Sequence, residues 1–325
     1  MERHSLVQTF LVTVWLFAAA AARGAESPSY AERLGWGPED KVVVFHIDDA
    51  GMSHASNLGT IKAIEDGVAT STSIMMPCSW VPEFRDYLKT HPDCDAGLHL
   101  TLTSEWDRYR WGPVAGAPAV PGLVDPDGYL WGDVMQVVTH ATPQEVDTEL
   151  RVQVEKAERM GIKATHLDSH MATLFFSRAY FERYIDLGIE KRIPVLVAGG
   201  HLHFLNQNSP VPLDGLREMA ERAWSGGLPA LDDIHASSYD WKTEDKTDRF
   251  IAVLEEMPPG LLEIVIHPTQ VTEEFPVFSG SAVTRTGDLN AMTDPRLRRF
   301  IVERGVILTT WRELKQRRDQ AESAK

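Results

Sequence analysis

Strand-like and helix-like stretches alternate along most of the chain, and this alternation constrains the fold more than any single motif. Short runs rich in Val, Ile, Leu or Thr occur at 42–47, 71–76, 95–100, 164–168, 193–198, 229–234, 262–267 and 305–309, most of them entered from Gly, Pro or charged residues. Between them lie helical patterns near 54–66, 81–90, 144–160, 178–191, 213–224, 244–257 and 295–303. The third is the best marked. Thr142-Pro143-Gln144-Glu145 has the spacing of a capping box with Pro at the first helical position, and Val146, Leu150, Val154 and Ala157 recur at three and four. Thr293-Asp294-Pro295 starts another helix in a similar way. Alternation repeated about eight times predicts an α/β chain with a parallel sheet, open or closed as a (β/α) barrel. No internal repeat accompanies it.

The chain of 325 residues is long enough for one large barrel or two average domains. Its first 24 residues read as a secretory signal peptide: Arg3 and His4 form a polar start, and Leu6 to Ala22 is apolar apart from Gln8, Thr9 and Thr13. Small residues then allow cleavage after Ala22 or Gly24. The apolar stretch is at the short limit for a membrane span, and no second stretch is long or apolar enough for one. The expectation is a secreted or periplasmic protein, with no stable span after cleavage and with residues 25–325 as a single domain. A formal charge of −15 argues against a nucleic-acid or anionic-membrane partner. Oligomeric state has no signature in the sequence.

Export permits disulfides, but only Cys78 and Cys94 exist, and neither sits in a metal-knuckle or Cys-x-x-Cys spacing. Cys78 lies just past the C-terminal end of strand 71–76, and Cys94 just before the N-terminal end of strand 95–100. In a parallel sheet these are opposite ends, about 20 Å apart at roughly 3.3 Å per residue. A disulfide needs Cα atoms within about 7 Å, so the two thiols are expected to be free.

The connection 101–141 is unusually long, with no convincing helix or long strand, and it is rich in Gly, Pro and the aromatics Trp106, Tyr109, Trp111, Tyr129 and Trp131. It is expected to lie over the rim that follows His99 and to present at least one of Trp106, Trp111 or Trp131 to a cleft, to form a small core of its own, or both.

Chemistry-bearing residues gather at one kind of place. The run Val42-Val43-Val44-Phe45-His46-Ile47-Asp48-Asp49-Ala50-Gly51 reads as a buried strand ending in two adjacent carboxylates, whose burial needs compensation. In an extended dipeptide the two side chains point to opposite faces, so one Asp can bind a cation while the other serves in proton transfer. His99 sits near the end of an apolar strand, where an imidazole is commonly a hydrogen-bonded core group. Thr165-His166-Leu167-Asp168-Ser169-His170 places two His and one Asp at alternate positions, on one face of an extended chain. His267 ends the strand Glu263-Ile264-Val265-Ile266. Asp48, Asp49, His99, His170 and His267 therefore all fall at or just past the C-terminal ends of strands, the edge where active sites of parallel α/β folds lie. One Asp and two His make a three-ligand set for a divalent metal with open positions, and the remaining carboxylate and imidazole suit a general base and a general acid.

These segments resemble the YdjC-like family, the ChbG/HpnK-type carbohydrate deacetylases. The resemblance rests on His46-Ile47-Asp48-Asp49-Ala50-Gly51, Gly67-Val68-Ala69-Thr70-Ser71-Thr72-Ser73, Gly97-Leu98-His99-Leu100-Thr101-Leu102-Thr103, Thr165-His166-Leu167-Asp168-Ser169-His170 and Glu263-Ile264-Val265-Ile266-His267-Pro268. It implies a distorted TIM-like (β/α) barrel related to that of the polysaccharide deacetylases, and removal of acetyl groups from N-acetylated sugars or oligosaccharides. It also implies Asp49, His99 and His170 as metal ligands, Asp48 as base and His267 as acid. The family's usual Asn-Ala before the acid pair and Phe after it are His46-Ile47 and Ala50 here, and its His-x-His after the metal stretch is replaced by Met171-Ala172-Thr173-Leu174. By the resemblance, those positions are expected to lie beside the metal and to shape the sugar pocket.

The expected reaction is hydrolysis of an acetylated carbohydrate with a divalent cation as cofactor. Two imidazoles favour zinc, while one carboxylate and open positions also admit magnesium. Asp168 is expected to hold an imidazole in orientation. The same machinery would serve an O-acetyl esterase or an amidase on another N-acyl compound. A non-catalytic exported sugar-binding protein could keep the barrel and the aromatic connection, but binding alone needs no base at Asp48.

Overall fold

Strand β1, Lys41–Ala50, is the axis of the structure. It is buried on both faces, which is why it reads as an unbroken apolar run. Val43, Phe45 and Ile47 pack outward against Phe250, Leu254, Leu289 and Met292 of the surrounding helices, while Val42 and Val44 belong to the other core. The computed structural model describes residues 27–208 and 213–323. The leader, residues 1–24, lies outside the described residues.

The other strands are β2 (Ser71–Ile74), β3 (Ala96–Leu100), β4 (Leu167–Ser169), β5 (Asp233–His235), β6 (Gly260–Ile266) and β7 (Ile307–Leu308). All pairings between them are parallel, in the order β4-β3-β2-β1-β6-β5. β7 pairs with Val42 and Val43 on the first half of β1, and β2 takes up pairing further along, from His46. The gap between β4 and β5 is spanned by single bridges, Leu167 to Val195 and Ala198 to Leu231. The stretch 193–198 thus closes the ring without forming a full strand. The result is a distorted TIM-like (β/α) barrel.

Helices cover the strands where the periodicity predicts them, as at Pro143–Arg159. There Thr142 and Glu145 form the reciprocal cap, and Val146, Leu150, Val154 and Ala157 are buried. The charged tail is a continuous helix, Trp311–Ser323. Asp95 receives its first backbone N–H groups, from Trp311 (3.0 Å) and Arg312 (3.0 Å), and so seats the helix at the N-terminal end of β3. Val134–His140, inside the aromatic connection, and Ala282–Thr293 have no clear sequence signal, and neither do the short helices Tyr30–Arg33, His203–Asn208 and Phe275–Phe278.

The connection 101–141 is more ordered than its composition implies. A 3-10 turn at Pro121–Leu123 and a bridge from Val124 to Leu130 pin it, and Trp111, Val120, Leu123 and Leu130 are buried. Trp111 donates to the carbonyl of Thr103, and Trp131 donates to that of Gly122 while stacking on His140. These two tryptophans make the small core, and Trp106 alone of the three lines the cavity described below. Cys78 is buried, Cys94 half-buried, and both are free thiols. Among the described residues no helix is long and apolar enough to cross a membrane.

Candidate metal centre

β1 ends in a bulge. The register with β2 advances from Ile47–Thr72 to Ala50–Ile74, so β1 carries one extra residue, and Asp49 adopts φ 69°. This departs from the strand alternation expected for the acid pair. An aspartate in the left-handed region is a tolerated rarity, and the turn brings both carboxylates to the same mouth. Asp48 Oδ2 and Asp49 Oδ1 lie 3.6 and 3.5 Å from the same atom, His99 Nε2. Gly51 follows at φ 80°, where a side chain would also strike Val81.

His99 projects from β3 and His170 from the turn after β4. His99 donates through Nδ1 to Asp168 Oδ1 (2.6 Å), leaving Nε2 bare. The other pair is His170 Nε2 with Glu105 Oε2, at 3.0 Å, which leaves the Nδ1 of His170 bare. The two bare nitrogens are 3.1 Å apart, and each is 3.5 Å from Asp49 Oδ1. Asp49 Oδ1 is buried and has no hydrogen bond. Two ring nitrogens and a carboxylate oxygen this close need a proton or a cation between them, and the donor set fits a divalent cation. Burial alone would lower the His170 imidazole, but Glu105 and Asp49 carry it up to about 10. The site draws positive charge, and a cation satisfies the same demand as a proton.

The first two residues after β6 and the helix Ala282–Thr293 close the other side. His267 Nε2 stands 3.6 Å from Asp48 Oδ2. Burial and the Arg285 guanidinium hold this imidazole below its usual range, so it is neutral at rest. Arg285 Nη1 contacts Asp49 Oδ2 at 2.7 Å. Burial favours the neutral acid, yet Arg285 and His170 hold Asp49 well below the ordinary carboxylate range. The helix is anchored by a buried ion pair, Lys246 Nζ to Asp288 Oδ1 at 2.7 Å, and Asp288 Oδ2 accepts the backbone N–H of His267 at 2.9 Å.

A second row of polar groups lies beneath the first, inside the barrel. His46 Nε2 lies 2.8 Å from Asp168 Oδ2 and 3.2 Å from Asp48 Oδ1, with Ser71 and Ser73 hydroxyls at 3.1 Å from its two nitrogens. Burial opposes charge on His46, but Glu263 and Asp168 raise it well above the usual imidazole value. His166 stacks on Trp311, over Gly97, where a Cβ would come within 2.5 Å of the imidazole. Glu263 accepts from Trp311 Nε1 at 2.8 Å, and burial pushes its carboxyl up to about 8. The alternate residues His166, Asp168 and His170 do share one face, but at three depths, and only His170 joins Asp49.

Glu105 and Arg285 were not singled out from the sequence; His46, Ile47 and Ala50 were expected to shape the sugar pocket, but they are fully buried and do not line the cavity, whereas Met171 and Ala172 do. Glu105 sits in the aromatic connection and Arg285 in a helix with no periodic apolar face, so neither carries a local signal. His46 had one: an imidazole within a strand core two residues before the acid pair.

Asp48, Asp49, His99, Glu105, His170, His267 and Arg285 line one end of a cavity of about 570 Å³. A sequence profile for the YdjC-like protein family matches residues 42–303. A carbohydrate deacetylase of Thermus thermophilus is 29% identical over 88% of this chain and 97% of its own. A chitooligosaccharide deacetylase of Klebsiella pneumoniae is 27% identical over 85% of this chain and all of its own. A crystal structure from Enterococcus faecalis, described as a cellobiose-phosphate cleavage protein, shares the fold with a TM-score of 0.72 at 22% identity, over 85% of this chain and 99% of that one. With the profile spanning most of the barrel and every strand end that carries a site residue, the chain belongs to the YdjC-like family.

Proposed function

We propose that this protein is a metal-dependent hydrolase that removes acetyl groups from N-acetylated sugars. The observation that carries this is the triangle of Asp49 Oδ1, His99 Nε2 and His170 Nδ1, with Asp48 beside it and unneeded for ligation. The names of the relatives support the acetylated carbohydrate as substrate. Two imidazoles and one carboxylate make a donor set that suits zinc, while the carboxylate and open positions also admit magnesium. Export through the N-terminal leader belongs to the same proposal.

A divalent ion bound there supplies a Lewis acid for the acyl oxygen and lowers the pKa of water. The chain's own residues do the rest. Asp48, slightly exposed to the cavity, accepts the proton of the attacking water, while His46 against its Oδ1 keeps the carboxylate aimed. His267, neutral at rest, lies 3.6 Å from Asp48, so a water between them relays this proton to it, and it delivers a proton to the departing amine nitrogen. One water is consumed, the C–N bond breaks, and acetate and a free amino group result. Asp168 and Glu105 hold His99 and His170 in the tautomers that turn bare nitrogens inward. Arg285 occupies the second oxygen of Asp49 and so leaves only Oδ1 for ligation.

Acetate release from N-acetylated mono- and oligosaccharides, and from O-acetylated sugars as a separate arm, tests this reading with zinc, magnesium and no metal. Release from amides that is abolished by chelation supports it. Release confined to esters, or indifferent to chelation, overturns it.

A further inference from the structure

A second cavity lies at the opposite rim of the barrel. It holds about 750 Å³, within the range of small-molecule sites, about 300–1,000 Å³. Ala96, which opens β3, and Thr165, which precedes β4, line it, whereas His99 and His170 stand at the other ends of the same strands.

Its charge is the reverse of the chain's. The sequence has 47 acidic and 32 basic side chains, yet Arg85, Lys89, Lys163, Arg192, Arg312 and Lys315 line the cavity, and among the described residues no carboxylate does. Three carboxylates beside it answer part of this charge. Arg85 and Lys89 share a single atom, Asp86 Oδ1, at 2.8 and 2.9 Å. Lys315 pairs with Asp319, and Asp93 comes no nearer to Arg312 than 3.7 Å. Six cations against three carboxylates leave a surplus of three positive charges.

Three of the cations are placed for a ligand. Lys163 and Arg192 are exposed and make no ion pair or side-chain hydrogen bond among the described residues. Arg192 stands at φ 57°, just past the helix Arg178–Lys191, a left-handed position where Gly is the usual residue. Arg312 is fixed in advance: its guanidinium donates to the carbonyls of Pro92 (3.3 Å), Asp93 (3.2 Å) and Cys94 (3.0 Å), which leaves two of its five N–H groups. Leu88, Met160, Ile162 and Pro194 also line the cavity, and beside such apolar surface charges are screened less than in open water.

We propose that this cavity binds a small ligand carrying two or more phosphate groups. Arginine forks and lysine point charges both suit phosphate oxygens. One phosphate carries only about −1.5 to −2 at neutral pH, so two linked phosphates match the surplus better. A nucleic acid or an anionic membrane would also face the rest of a surface whose chain carries −15, whereas a small ligand meets only the cavity. The inference does not depend on the deacetylase reading.

Titration calorimetry of the metal-loaded protein with inorganic phosphate, inorganic diphosphate and uridine diphosphate tests it. Diphosphates also chelate metal ions, so Asp49→Asn, which removes a ligand of the metal centre, separates the two sites. Lys163→Ala and Arg192→Gly remove partnerless exposed side chains, and Gly suits φ 57°, so both variants fold. The expected result is one-to-one binding of a diphosphate about tenfold or more tighter than phosphate, weakened about tenfold or more by each of these two substitutions and unchanged in Asp49→Asn. Either diphosphate meets the proposal, and the tighter of the two tells an organic diphosphate from the free ion. Binding lost in Asp49→Asn but kept in Lys163→Ala and Arg192→Gly overturns the inference, since it puts the ligand on the metal. Absence of binding overturns it too, as does phosphate binding as tightly as both diphosphates.

Discussion

His99 and His170 turn bare ring nitrogens toward each other at 3.1 Å, each because a carboxylate holds its other nitrogen: Asp168 for the first, Glu105 for the second. Neither imidazole chooses this tautomer on its own. The proposed metal centre would therefore depend on five side chains, Asp49 with these four, and two of them, Asp168 and Glu105, would not touch the ion.

Glu105→Ala should weaken zinc binding by about 10–100-fold, the usual cost of losing a partner that orients a ligand. Titration calorimetry of metal-free protein reads this directly. Unchanged affinity would show that the contact between His170 and Glu105 does not set the ring.

Asp48→Asn should keep one bound metal per chain and lower kcat by about 10²–10⁴-fold, the typical contribution of a general base. Asp49→Asn should do the reverse and lose the metal first. Metal stoichiometry alongside acetate release distinguishes the two, and an active Asp48→Asn enzyme without metal would exchange their roles.

Glu263 makes stability depend on pH. Burial raises its carboxyl from 4.5 to about 8, so between these values the folded state holds a proton that the unfolded chain has released. Stability from this group is complete below pH 4.5 and is lost as pH rises through about 8. Glu263→Gln keeps an acceptor for Trp311 Nε1 without the charge. Its midpoint in urea should move from near parity with the native protein at pH 5 to above it at pH 9, by about 1–3 kcal/mol. A pH-independent difference would show that Glu263 does not titrate in this range.

Cys78 and Cys94 should titrate as two free thiols in denatured, unreduced protein, since both are unpaired and flank opposite ends of adjacent parallel strands. A disulfide between them would contradict the pairing of β2 with β3.

Much of the site was legible because the chemistry rides on strand ends. His99 and His267 close apolar runs, and Asp48 and Asp49 close another, so alternation alone delivers them to one rim. The closing stretch 193–198 was less so. Its apolar run reads as a strand, yet only Val195 and Ala198 bridge, because the ring is distorted there and its edges meet at points. Trp111 and Trp131 read as ligands for sugar as readily as core, and only their buried hydrogen bonds to carbonyls separate them from Trp106.

The sequence by itself determined the α/β class, the rim, and the residue types at it, since hydrophobic period and strand-end placement are local properties of the chain. Tertiary structure decided which groups act together. The bulge that swings Asp49 beside Asp48 depends on pairing with β2. Glu105 reaches His170 from 65 residues away, and Arg285 reaches Asp49 through a helix anchored by Lys246 and Asp288. Such contacts are made between side chains far apart in sequence, each of them ordinary in its own neighbourhood, and only packing brings them within hydrogen-bond reach.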